Sequence, residues 1–199
     1  MKFWKVVLGT VTLVLSTNIN AALIDNGVFT TDTETGLDWL DLTESTELSF
    51  EYVSTQFEVG GQFEGWTYAS TNQVEGLFNS AGGASHIMQT SLNREPALLL
   101  MGLWGTIYQD LEVTAAEFIT GTSFDDGRVW RGVVAHDNNG ADADLGFMSA
   151  EYQITEETLV YQDTGHALVR VSAVPVPAAI WLFSSGLISL IVFTKRKKA

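Results

Sequence analysis

Hydrophobic and polar positions along the chain change period as it proceeds, and the order of those periods predicts an α+β domain. Leu23 to Phe29 reads as extended. Thr31 to Leu42 sets Leu37 and Trp39 against Asp38 beyond a turn-forming stretch that ends at Gly36, so two short strands around a turn are expected here. Ser49 has the position of a helix N-cap, with Leu48 and Val53 spaced as the two halves of a hydrophobic staple, and Gly60-Gly61 offers an end to that helix. Gly65-Trp66-Thr67-Tyr68-Ala69-Ser70 is a short extended piece. It feeds a second helix in which Ser70 and Gln73 have capping-box spacing, Val74, Leu77 and Phe78 recur at helical intervals, and Ala81-Gly82-Gly83 stops the run. Pro96 suits the first turn of a third, largely buried helix over Ala97 to Trp104. From Ile107 the pattern turns to strands, at Arg128 to Ala135, Asp144 to Ile154 and Ala167 to Ala173. The expectation is a small mixed or antiparallel sheet with two to three helices.

The two ends of the chain have a different grammar. Lys2 and Lys5, the apolar run Val6 to Leu15 and the small-residue exit Ser16 to Ala22 have the layout of a secretory signal peptide, with cleavage after Ala21 favoured over Ala22. An uncleaved anchor is the alternative, although a ten-residue apolar core spans a bilayer poorly. At the other end come a proline-bearing motif, Val174-Pro175-Val176-Pro177-Ala178, an uncharged apolar segment from Ala178 to Phe193, and the cations Lys195, Arg196, Lys197 and Lys198. The segment is slightly shorter than the roughly 20 residues that cross a hydrocarbon core. Its apolar residues, Ile180, Trp181, Leu182, Phe183, Leu187, Ile188, Leu190, Ile191, Val192 and Phe193, are expected to form a membrane helix, with interfacial Trp181 and snorkelling cations extending its reach. The cations face the cytoplasm by the positive-inside rule, so the rest of the chain belongs on the far side of the membrane. Pro175 and Pro177 keep the preceding stretch extended, a form that a processing protease can grip. Residues 1–21 therefore read as a leader, 22–173 as a passenger domain and 174–199 as a sorting signal, with a plain C-terminal anchor helix as the alternative for the last of these.

That tail resembles the PEP-CTERM sorting domain, also known as the ice-binding protein C-terminal domain. The resemblance rests on Val174-Pro175-Val176-Pro177-Ala178-Ala179, Trp181-Leu182-Phe183, the small-residue break Ser184-Ser185-Gly186-Leu187 and the basic end. It departs from the namesake Pro-Glu-Pro at Val176. The resemblance implies an exosortase-type processing protease as partner, export across the inner membrane of a Gram-negative bacterium and transient anchoring there. Release to the cell surface or an extracellular polysaccharide matrix would follow.

Charge narrows what the passenger meets. Arg94, Arg128, Arg131 and Arg170 are its cations against all 24 acidic residues of the chain, a balance of −20 with no lysine. Such a field repels nucleic acid and anionic lipid, leaving neutral glycans, divalent cations and basic proteins open; it also simply keeps an exported protein soluble. Cysteine is absent, which excludes thiol catalysis, iron–sulfur clusters and cysteine zinc sites and leaves the apolar core to hold the fold. Trp39, Trp66, Trp104 and Trp130 are the large rings available for it.

The passenger as a whole resembles the C-type-lectin-like domain of the Lcl C-terminal type. Asp32, Thr35-Gly36-Leu37-Asp38-Trp39, Gly65-Trp66-Thr67-Tyr68-Ala69-Ser70 and Leu168-Val169-Arg170-Val171 carry that likeness. Thr67-Tyr68-Ala69 replaces the family's Arg-Leu-Pro, and the family's cysteines are missing. The likeness implies a binding fold.

Candidate chemistry is sparse. Asp137, Asn139, Asp142 and Asp144 crowd oxygen donors into one turn, as a calcium loop requires, but its glycine stands fourth and no glutamate closes an EF-hand. Calcium or an ordinary Asn-Gly hairpin loop are both compatible with it. Asp125-Asp126-Gly127 reads as a tight hairpin turn. His86, His136 and His166 are too scattered for a zinc set, and no nucleophile elbow, phosphate loop or dinucleotide fingerprint occurs. The expected function is a non-catalytic glycan- or protein-binding module at the cell surface, with a secreted polysaccharide hydrolase as the alternative.

Overall fold

The computed structural model describes residues 23–85, 88–109, 112–138 and 144–173. Over these residues it is an α+β structure with two antiparallel-based sheets and three α-helices. The first sheet has the order β1-β2-β3-β10-β4, built from β1 (Leu23–Asp25), β2 (Phe29–Asp32), β3 (Leu37–Leu40), β4 (Thr67–Tyr68) and β10 (Leu168–Val171). The second runs β5-β6-β7-β8, from β5 (Tyr108–Gln109), β6 (Val113–Ser123), β7 (Arg128–Asp137) and β8 (Gly146–Glu156), with the short β9 (Gly165–His166) parallel to β6. Two sheets thus replace the single small sheet expected from the pattern, and β1 joins the expected β2–β3 pair.

Local chemistry explains most of the helix boundaries. Ser49 accepts from the Tyr52 amide and starts α1 (Phe50–Ser54), while Leu48 packs with buried Val53 in the same apolar cluster, as the staple requires. Ser70 and Gln73 form both halves of a capping box at the start of α2 (Thr71–Ser80). α3 (Arg94–Trp104) buries Ala97, Leu100, Met101 and Trp104. The end of α1 differs from expectation, because it comes at Ser54 and not at Gly60. There the Ser54 and Thr55 hydroxyls donate to the carbonyls of Phe50 and Tyr52, side-chain bonds that compete with continued helix.

Both α2 and α3 lie on one face of the second sheet. The core between them holds Val74, Leu77, Phe78, Leu100, Met101, Trp104, Ala116, Phe118, Val134 and Met148, and it extends to Trp39 of the first sheet. Trp39 and Trp104 meet edge to face at 5.4 Å, and the Trp104 indole donates to the Leu40 carbonyl at 2.9 Å. Aromatic pairs of this geometry add to the area they bury. Gly132 is fixed by the same core: a Cβ there would lie 2.2 Å from the Phe118 ring. The sheets also join through main chain. Ala69 donates to Ala167 at 2.8 Å and accepts from Gly121 at 2.7 Å, which ties the residue after β4 both to β6 and to the link between β9 and β10.

Candidate functional site

The strands that carried the lectin-like resemblance come together in the first sheet, where Asp32, Asp38, Trp66 and Arg170 have structural occupations. Asp32 is fully buried at the end of β2 and accepts from the Glu34 and Thr35 amides and from the Thr35 and Ser80 hydroxyls, which pins the β2–β3 turn to the last turn of α2. Arg170 of β10 donates to Asp38 of β3 at 3.0 Å. Its guanidinium lies 4.6 Å from the centre of the Phe29 ring and 4.4 Å from that of Trp66, so one cation contacts two rings that themselves meet edge to face. Burial by itself raises the Asp38 pKa, but hydrogen bonds from Thr31, Ser172 and Arg170, with the Arg170 charge, outweigh it and hold the carboxyl below its ordinary value. Trp66 is half-buried in this arrangement, whereas Trp39 and Trp104 are fully enclosed.

Of the histidines, His166 is a core residue. It is fully buried on β9, with Nδ1 2.6 Å from the Tyr68 hydroxyl and Nε2 3.1 Å from the Leu48 carbonyl. A carbonyl only accepts, so Nε2 carries the proton and Nδ1 accepts from Tyr68. Burial pushes the imidazole pKa down to about 4, against the backbone hydrogen bond, and pushes the Tyr68 phenol up.

Asp41 has the opposite character. Its Oδ1 is buried without a hydrogen-bond partner, and burial, followed by repulsion from Asp25 and Glu44, raises its pKa to about 6.

The proposed calcium loop is only partly within the described residues. Asp137 ends β7, and Asp144 lies in the turn before β8, 3.7 Å from the Arg94 guanidinium; Asn139 and Asp142 fall outside the described residues. No group of three or more metal-ligating side chains is assembled among the described residues. Val174 to Ala178, the apolar residues from Ile180 to Phe193 and Lys195 to Lys198 likewise fall outside them, as does the leader. Among the described residues no helix is long and apolar enough to cross a membrane.

The second sheet offers a different kind of surface. Pairing sets Tyr108 of β5 against Ala115 of β6, Ala115 against Ala135 of β7, and Ala135 against Phe147 of β8, so the four form one row across the sheet. Their chain neighbours Ala116, Val134 and Met148 point into the core, and alternation turns the row to the opposite, open face. Two alanines make a floor between two rings. The irregularity between Arg131 and Val133 sets two extra β8 residues against β7 and re-aims Tyr152 onto this face, where its ring meets Phe147 at 5.6 Å. The resulting groove encloses about 310 Å3, and its lining includes Gln89, Glu112 and Glu117. Behind it Arg131 is paired with Glu117, lies 4.5 Å from the centre of the Tyr161 ring and donates to Thr164 at 3.3 Å. Sequence spacing could not single out this site, because its rings lie on β5 and β8, which are not neighbours in the sheet, and only the register joins them.

Compared with protein-family models, curated proteins and solved structures, the chain matches none.

Proposed function

We propose that this chain is an exported, exosortase-sorted protein of the PEP-CTERM type, whose passenger serves at the cell surface or in the extracellular polysaccharide matrix as a non-catalytic binding module of C-type-lectin-like fold. The sorting half of this reading rests on the order of motif, apolar segment and cations at 174–199.

The observation that supports a tethered passenger is where the domain begins and ends. Leu23 pairs with Asp32, Asp32 with Leu37, and Leu37 with Val171, so the first and last strands meet in one cross-strand row of the first sheet. At about 4.8 Å per strand the two ends lie roughly 14 Å apart. A domain entered and left at one end can stand on a short membrane-proximal neck and present everything else outward. First and last strands paired through β2 and β3 in one sheet also suit the lectin-like reading.

Three of the acids inside the described domain are engaged by the fold, which favours binding over hydrolysis at those positions; Asp41, with a partnerless Oδ1 and a pKa raised to about 6, is not among them. Asp32 has four donors, Asp38 has Thr31 and Arg170, and Glu117 has Arg131. A glycosidase needs two carboxyl groups facing a common space, one of them held protonated; Glu112 and Glu117 do line one groove, but Glu117 is committed to Arg131.

The test is the mass of the mature protein. From a host with the matching exosortase it should lack Phe193 and the basic tail, and from a host without the protease it should retain both in the inner membrane. An intact C-terminus through Ala199 in the competent host would make the tail a plain anchor.

A further inference from the structure

We propose that the groove on the open face of the second sheet, walled by Tyr108, Phe147 and Tyr152 and floored by Ala115 and Ala135, binds a neutral hexopyranose chain. The proposal rests on the reading of the passenger as a binding module, and adds to it the site and the class of ligand.

Three observations select that occupant. First, the shape is that of a trough: small side chains in the middle of the row leave the backbone floor low, and the rings rise from β5 and β8 at either side. Three strand spacings separate the walls, roughly 14 Å at the backbone, which after subtracting the rings leaves the width of a sugar ring. Second, the walls are amphipathic. Tyr108 and Tyr152 are 42% and 44% exposed, and their aromatic faces suit the C–H face of a pyranose. Phe147 braces Tyr152 edge to face, so the ring is held before any ligand arrives. Third, the polar groups around the floor suit hydroxyls. The Glu112 and Glu117 carboxylates accept hydrogen bonds and the Gln89 amide both donates and accepts, whereas Arg131, the cation near the groove, is engaged by Glu117.

Charge then separates neutral from acidic sugars. A uronate or sulfated chain would bring anions to a domain of −20, beside two glutamates, with the nearest guanidinium already paired. A basic peptide is the competing ligand that such a field would attract. It is less suited to this groove, whose walls and floor are rings and alanines.

The experiment uses the full chain purified in a mild detergent, titrated calorimetrically with cellohexaose, mannohexaose and maltohexaose, and with an oligomannuronate and a hexalysine peptide as contrasts. At least one neutral hexasaccharide should bind, and the oligomannuronate should bind at least tenfold more weakly. Tyr108→Ala and Tyr152→Ala should each weaken binding tenfold or more, and Val59→Ser, at an exposed residue outside the groove, should leave it unchanged. Melting curves of the variants verify that they are folded. Neutral-sugar binding that survives both tyrosine variants would overturn the groove while leaving the binding module in place. Absence of binding to all three neutral sugars, or preferential binding of hexalysine that depends on Tyr108, would overturn the ligand class. Neither outcome bears on export and sorting, which the C-terminal mass decides separately.

Discussion

In the first sheet, the two buried carboxylates within the strands are matched: Asp32 by two amides and two hydroxyls, and Asp38 by Thr31 and Arg170, whose part-exposed guanidinium also contacts two rings. The second sheet has an apolar face under α2 and α3 and an open face on which tyrosine rings stand 42% and 44% exposed. Polar groups that are saturated inside a sheet hold its register and have little capacity left for a ligand. Exposed rings braced by a neighbour have that capacity. The contrast separates residues that make the fold from residues available to a partner, and the separation runs against the sequence, where the most conspicuous cluster, Asp32 to Trp39, belongs to the first sheet.

The strongest way to break this contrast is to compare rings. Trp39 is fully buried against Trp104, so Trp39→Ala should lower unfolding free energy by about 3 to 5 kcal/mol. Tyr152→Ala, on the open face, should cost under about 1 kcal/mol. Trp66→Ala lies between them, because a half-buried ring loses part of its packing and a cation–π contact with Arg170 of roughly 0.5 to 2 kcal/mol. Urea titration of the three variants measures all of this. A Tyr152→Ala loss as large as that of Trp39→Ala would make the open face structural and remove the distinction.

The next effect lies at the seam between the sheets, where His166 on β9 joins Tyr68 on β4. Its folded pKa, about 4, is below the ordinary imidazole value, so the unfolded chain binds the extra proton more readily. Stability is therefore full above about pH 6.5, falls as pH drops toward 4, and loses roughly 3 kcal/mol from this group by then. Asp41 opposes it. Its folded pKa is raised to about 6, so protonation favours the folded state as pH falls through the same window, by less because the group is partly exposed and its repulsions are screened. Wild-type stability should decline gently from pH 6.5 to 4.5, Asp41→Asn should steepen the decline, and His166→Gln should abolish or reverse it. Chemical denaturation at half-unit pH steps reads the slopes, and a His166→Gln slope equal to that of wild type would show that the seam is not a proton-sensitive joint.

Much of the fold was legible because its signals are local. Ser49 and Ser70 with Gln73 announced two helix starts through side-chain caps that need only neighbouring amides, and Asp125-Asp126-Gly127 announced the β6–β7 turn, where Gly127 takes φ 78°. The division into two sheets was not legible, since alternation marks a strand and says nothing of its partner. α1 was overestimated because glycines at 60 and 61 outweighed the hydroxyls at 54 and 55, whose backbone bonds end the helix sooner. The groove was hidden for a related reason. Tyr108, Ala115, Ala135 and Phe147 are unremarkable singly, and their meaning arises from a register across four strands.

The smallest expected effect concerns the turn between β7 and β8, at one end of the second sheet. Were Asp137, Asn139, Asp142 and Asp144 a calcium site, the ion would relieve the mutual repulsion of the carboxylates and stabilise the fold by RT ln(1 + [L]/Kd), about 2.7 kcal/mol at a hundredfold excess. Asp144, however, is 91% exposed and faces the Arg94 guanidinium at 3.7 Å, so part of its charge is already countered by α3. Screening of a −20 domain by any salt also raises stability, which makes magnesium at equal ionic strength the necessary contrast. The expected result is an equal rise in melting temperature with the two ions, unchanged in Asp142→Asn, Asp144→Asn. A rise specific to calcium and absent from the double variant would instead give the second sheet an ion at its end as well as a groove on its face. Ligand binding would then have to be measured again with calcium present, because Asp137 ends β7 and Asp144 lies just before β8, the strand that carries Phe147 and Tyr152.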